Sequence, residues 1–154
     1  MSENTQPSEN RGKTGAYLAA IAMLGLKTYL AYYFSQEFPL PENIIPMLQV
    51  GAGIFHVAGR IADDVSTAIV FNKQRAVEDA TGQKLGIKES MSLLPPNPTA
   101  KDLLHPGVLA MEAAEAIPIM VNPLYGILRG VTSFAAAYNN ARLSRSIDEG
   151  MGKR

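Results

Sequence analysis

The apolar positions of this chain fall into long runs, and none sustains the alternation with period two that a half-buried strand requires. The runs are rich in Ala, Leu and Met and are punctuated by proline, which predicts helices separated by tight turns. Four segments stand out. The first, 14–34, has Thr14 as a plausible cap and carries Lys27 as its one charge. Its apolar side chains surround the whole helix, so protein or lipid must cover it. At 1.5 Å per residue it reaches about 30 Å, the thickness of a hydrocarbon core. Tyr29, Tyr32, Tyr33 and Phe34 at its end suit an interfacial aromatic belt.

The stretch EFPLPEN ends that helix. Asn43 then offers a cap, and Pro46 suits the first turn of a second helix, 43–80, which Thr81-Gly82 should stop. No charge occurs from Asn43 to Gly59; beyond it the helix becomes amphipathic and then charged. Residues 83–105 form one long connection in which Pro95, Pro96 and Pro98 bar a continuous helix. Ser92-Leu93-Leu94 would anchor it on the core. Pro106 opens a third helix, 106–121, and Asn122-Pro123 separates it from a fourth, 124–145. In the fourth, Leu124, Ile127, Leu128, Val131, Phe134, Ala135 and Tyr138 keep the spacing of a single stripe, expected to be buried. Gly126 and Gly130 form a GxxxG pair, which would let another backbone come close.

The expected fold is therefore all-α, about four helices in two hairpins, 14–34 with 43–80 and 106–121 with 124–145. The first hairpin is expected to be membrane-embedded. Residues 1–13 read as a polar, disordered tail, 14–146 as a single helical domain and 147–154 as a frayed tail. No small-residue cleavage site follows the first apolar run, so it is read as retained.

Composition sharpens this. Charged residues make up 18% of the 154, below the ~25% usual for soluble domains. A mean hydropathy of +0.02 is nevertheless low for a chain lying mostly in lipid. The formal net charge is zero and aromatics are not interleaved with Lys or Arg, so a nucleic-acid surface is not expected. With no cysteine there are no disulfides, thiolate metal sites or cysteine nucleophiles. Arg11 and Lys13 precede the first helix, Glu37 and Glu42 lie in the turn, and Lys73 and Arg75 follow the second. By the positive-inside rule the N-terminal side would be cytoplasmic. Against insertion stand Arg60, Asp63, Asp64, Glu112 and Glu115, each costing ~2.5–3.5 kcal/mol at bilayer depth if unpaired.

The candidate chemistry lies in GIFHVAGRIADD, residues 53–64. On a helix, Gln49, His56, Arg60, Asp63, Asp64 and Thr67 fall on one side, opposite Val50, Ile54, Ala58, Ile61, Val65 and Ile69. Arg60 can pair with Asp63 and Asp64 at i+3 and i+4, so a self-paired stripe facing water or a neighbour is the plainer reading. The sharper one is an ion or proton path, or an anion site on Arg60. His56 and His105 are not brought together by sequence, and neither lies three residues after a Glu, as a helical carboxylate–histidine metal site needs. Glu112 and Glu115 share a face and read as a polar helix side; the alternative is a pairing with Arg129 across the second hairpin. There is no phosphate loop, dinucleotide fingerprint, H-E-x-x-H or nucleophile elbow. No cofactor, metal or catalytic residue is expected.

Together these features predict a small non-catalytic membrane or membrane-associated protein, a structural or accessory subunit of a homo- or hetero-oligomer, with pore formation as one version. The alternatives are a soluble coat or filament subunit, as in a virion, that buries its first helix between copies, and a transport or redox subunit using the polar stripe.

Overall fold

The computed structural model describes residues 6–88, 94–95 and 97–152, with side chains between residues 15 and 150. Residues 1–5 of the expected tail, Ser92 and Leu93 of the expected anchor, Pro96 and residues 153–154 lie outside it. The described residues are helical, without strands: α1 (Gln6–Glu37), α2 (Ile45–Thr81), α3 (Ala100–Leu103), α4 (Pro106–Ala114), α5 (Ala116–Val121) and α6 (Pro123–Gly152).

Several boundaries differ from expectation, each for a local reason. α1 begins at Gln6, so residues 6–13 are helical rather than a tail, and α6 continues to Gly152. The cap of α2 is Ile44, with no side-chain hydrogen bond, rather than Asn43; Pro46 supplies the stiff first turn. At its far end Gly82 adopts φ +70° and donates its amide to Glu78 O at 2.8 Å, a left-handed cap that glycine accepts without strain. The expected helix 106–121 is interrupted at Glu115. Pro118 has no N–H for the carbonyl of residue 114, and its ring crowds that carbonyl, so the chain breaks into α4 and α5.

Contacts along the helices fix their directions. Gly126 faces Ala52, Gly130 faces Phe55 and Gly59, Asn140 meets Thr67, and Lys73 meets Asp148, so α2 and α6 run parallel. Arg60 pairs with Glu112 and Gln49 with Met120 O, so α4 and α5 run antiparallel to α2. Lys27 meets Glu115, and the Ala31 carbonyl meets Asn122, so α1 runs alongside α4–α5. The extensive packing is between α2 and α6. α1 rests chiefly on α5, not on its hairpin partner α2.

What these helices bury depends on position along them. In the first half of α2 the inward side chains are small or polar, namely Ala52, His56, Gly59 and Thr67, whereas Met47, Val50, Ile54, Ile61 and Val65 point outward, more than half exposed. The same holds in α6. Gly126, Gly130 and Ser133 are buried, and the stripe expected to be buried, Leu124, Ile127, Leu128, Val131, Phe134, Ala135 and Tyr138, faces outward. Past Thr67 and Asn140 the pattern reverses. Val70, Val77 and Ile147 form a buried cluster, while Asn72, Asp79, Arg142, Arg145 and Glu149 are exposed. α1 is exposed on most sides, with Ala31 its buried residue among those described. Two helices contain stretches long and apolar enough to cross a membrane, Gly15–Glu37 and Ile45–Thr81.

Candidate functional site

The close approach of α2 to α6 comes first, because it draws polar groups into the interior. A Cβ on Gly59 would lie 2.8 Å from Gly130 O and 3.2 Å from Ser133 Cβ; one on Gly126 would lie 3.0 Å from the Ala52 Cβ. Glycine at these positions therefore lets two helices meet at backbone distance, as small residues do in lipid-phase packing. Phe55 lies over Gly130 and reaches Phe134, their ring centroids 5.3 Å apart.

Beside this contact runs an ionic seam built from four helices. Arg60 is its centre. Its guanidinium binds Asp63 at 3.3 Å and Asp64 at 3.2 Å within α2, and also Glu112 of α4. The intrahelical pairing that the spacing allowed is thus joined by a carboxylate 52 residues away. Asn140 of α6 continues the seam, donating to Asp63, Ser66 and Thr67 at 3.0–3.3 Å. Three residues on, at the break between α4 and α5, Glu115 gathers Lys27 of α1 and the Tyr125 hydroxyl, with Arg129 Nε at 3.6 Å. Its side chain is 12% exposed. Lys27, the one charge of the apolar stretch 14–34, has here the partner it required.

His56 faces this second group and is 4% exposed. Its Nδ1 has no hydrogen-bond partner, and the same is true of Arg129 Nε. Lys27, His56, Arg60, Glu112, Glu115 and Arg129 line a cavity of about 150 Å³ between α1, α2, α4 and α6. A wider groove of about 610 Å³ opens between α2 and α4–α5, with His56, Arg60 and Glu112 in its wall. Arg60 also borders a third cavity of about 360 Å³ toward the charged end, with Asp63, Asp64 and Asn140. Toward the opposite end, Gln49 donates to Met120 O at 2.6 Å and the buried Asn122 donates to Ala31 O at 3.4 Å.

The sequence candidates therefore divide. His56, Arg60, Asp63 and Asp64 are on the inward side of α2; Arg60, Asp63 and Asp64 bond with Glu112 or Asn140, and His56 lines one cavity with Lys27, Arg60, Glu112, Glu115 and Arg129. Gly126 and Gly130 sit where α6 meets α2. His105 is elsewhere, capping α4: its Nδ1 accepts from the Gly107 amide at 3.1 Å. Tyr125 and Asn140 were missed, since neither has a local signal; their partners lie 10 and up to 77 residues away.

Outside the helical bundle, Asp102 accepts from the amide and hydroxyl of Thr99 at 2.7 Å each. These bonds favour the ionised form and hold its carboxyl below the ordinary carboxylate range. Among the described residues no group of three or more His, Asp or Glu side chains is arranged to hold a metal ion. Comparison with protein-family models, characterised proteins and solved structures finds no match to this chain.

Proposed function

We propose that this chain is a non-catalytic, membrane-embedded helical subunit that acts within a larger oligomer. The observation that carries the reading is the reversal of polarity along α2 and α6. Their first halves turn large apolar side chains outward and pack through small and polar ones; beyond Thr67 and Asn140, Val70, Phe71, Val77 and Ile147 turn inward beside Gln74 and Ser144, and charged side chains turn outward. In water, burial of apolar area drives folding, so an exposed apolar belt opposes it; in lipid that belt is the solvated surface. From Met47 to Val65 the belt on α2 is about 27 Å tall at 1.5 Å per residue, close to a hydrocarbon core.

Charge placement supports the same reading. Lys27, Arg60 and Arg129 lie in the interior network. The other described cations with side chains, Lys73, Arg75, Lys84, Lys88, Lys101, Arg142 and Arg145, belong to the end where α2 and α6 finish. The α1–α2 turn at the other end carries Glu37 and Glu42. The basic end is cytoplasmic on this reading, together with the start of α1. Pairing inside the bundle offsets the insertion cost of the ionic seam. The apolar stretch of α1, resting on α5, offers its remaining surface to lipid or to other subunits.

Because the chain has no cysteine, single-cysteine variants carry one thiol each. With the protein expressed in membranes, Ile61→Cys and Val131→Cys should resist a membrane-impermeant maleimide until detergent is added. Lys84→Cys and Glu42→Cys should label from opposite sides. Release of the full chain by alkaline carbonate, with both belt positions labelled in the absence of detergent, would replace this reading with a soluble coat or filament subunit whose α1 is covered by other copies.

A further inference from the structure

α2 and α4–α5 run side by side without closing on each other. Two long polar side chains bridge them, Arg60 to Glu112 toward one end and Gln49 to Met120 O at the other. Between them lies the groove of about 610 Å³, which follows α2 from Gln49 to Val65, about 24 Å at 1.5 Å per residue. Folded interiors hold few voids larger than a water molecule, so a space of this size calls for an occupant. Its walls are chiefly apolar, with Val57, Ile61 and Val65 on one side and Leu109, Ala113 and Met120 on the other. The charged side chains in them are turned to one another, Arg60 binding both Asp64 and Glu112. His56 Nδ1, though unpartnered, is covered by protein and offers nothing to an occupant. Water in such a space would lack the polar partners it needs. A packed helix is about 10–12 Å across with its side chains and over this length fills roughly 2,000 Å³, well beyond the groove.

We infer that this groove is a binding site for one acyl chain of a membrane phospholipid. The chain enters from the belt: Val57, Ile61, Val65 and Met120, each more than half exposed, stand along the groove and belong to the outward apolar surface. A chain from one leaflet, about half of a ~30 Å hydrocarbon core, fits within its length. Held between two protein walls, the chain gains dispersion contacts on both sides, and it completes the packing that the two polar bridges leave open. The inference rests on the membrane reading proposed above.

The test uses the full chain, extracted from membranes in dodecyl maltoside, washed by repeated exchange and then supplied with dioleoylphosphatidylcholine. Native mass spectrometry counts the lipid that stays bound, and one phospholipid per chain is expected. Gly53→Leu and Ala113→Phe each place a larger side chain in the groove, and nothing lies within 4 Å of a Cβ on Gly53. Each should lower retention at least tenfold, whereas Val131→Phe, on the outer face of α6, should leave it unchanged. Elution volume and helical signal report on the folding of each variant independently. No retained lipid in the parent, or undiminished retention in a folded Gly53→Leu or Ala113→Phe, overturns the site. Maleimide labelling at Val131→Cys, outside the groove, separates the two conclusions. A protected Val131→Cys with no retained lipid overturns the groove site alone; one labelled without detergent overturns the membrane reading and the site with it.

Discussion

The two halves of α2 belong to one helix yet obey opposite rules. From Ile45 to about Ser66 its interior side is Ala52, His56 and Gly59, and its outer side is Val50, Ile54, Ile61 and Val65. From Thr67 to Thr81 the interior is Val70 and Val77, packed with Ile147, together with Phe71 and Gln74, and the outer side includes Asn72 and Asp79. α6 changes in step, from Leu128 and Val131 outside to Arg142 and Arg145 outside. The last turns are held as a water-soluble bundle is held, by removing apolar area from solvent. The first halves cannot be. There, close backbone approach at Gly59 and Gly130, dispersion contacts and the charge network must supply specificity.

The largest effect should come from breaking the network in the first half. Glu115→Gln leaves Lys27 and Arg129 without their shared carboxylate, and loss of one partner from a buried pair costs about 3 kcal/mol or more. A fall in melting temperature checks this, and the companion variant Lys27→Met with Glu115→Gln should recover part of it.

Next in size is placement of a new charge. On the proposed membrane reading, Ile61→Lys puts an ammonium on the outer belt, about 2.5–3.5 kcal/mol on the insertion scale, and should lower the membrane-inserted fraction. Ala76→Lys, exposed beyond the reversal, should fall within about 0.5 kcal/mol of the parent. Equal effects at the two sites would erase the distinction between the halves.

Gly59→Val probes the seam itself. Its Cβ would meet the Gly130 carbonyl, a backbone atom that cannot move aside, so a loss of about 1–3 kcal/mol is expected in thermal unfolding. Gly53→Ala, with nothing within 4 Å of the new Cβ, should instead be neutral or stabilise by about 0.5–1 kcal/mol through helix propensity.

The smallest change concerns Asp102. Its carboxyl is held low in the folded chain, so the Thr99 bonds contribute above its ordinary range and are lost as pH falls through the lowered value. Amide protection at Leu103 and Leu104, compared with Asp102→Asn, should converge with that variant in acid. A constant difference at every pH would assign the protection to something other than this carboxylate.

Much of the secondary structure was legible along the chain because its causes are local. Pro39 and Pro41 end α1, Gly82 takes the left-handed cap of α2, and Pro106 opens α4. The break at Glu115 is equally local in cause, since Pro118 stands inside the expected helix. The Arg60 pairing with Asp63 and Asp64 also followed from helical spacing. The rest of the seam did not. Lys27 and Glu115 are 88 residues apart and Arg60 and Glu112 are 52 apart, and no spacing rule reaches across three turns and a long connection.

Sequence alone determined that the chain is helical, where most helices stop, and which residues share a side of each. Only the tertiary structure decided which side faces inward. Helical periodicity separates Leu124, Leu128 and Val131 from Gly126, Gly130 and Ser133 without giving a direction. That sign depends on what the helices pack against, and here two backbones at contact distance leave room between them for glycine, serine and paired charges, so the large apolar side chains turn out.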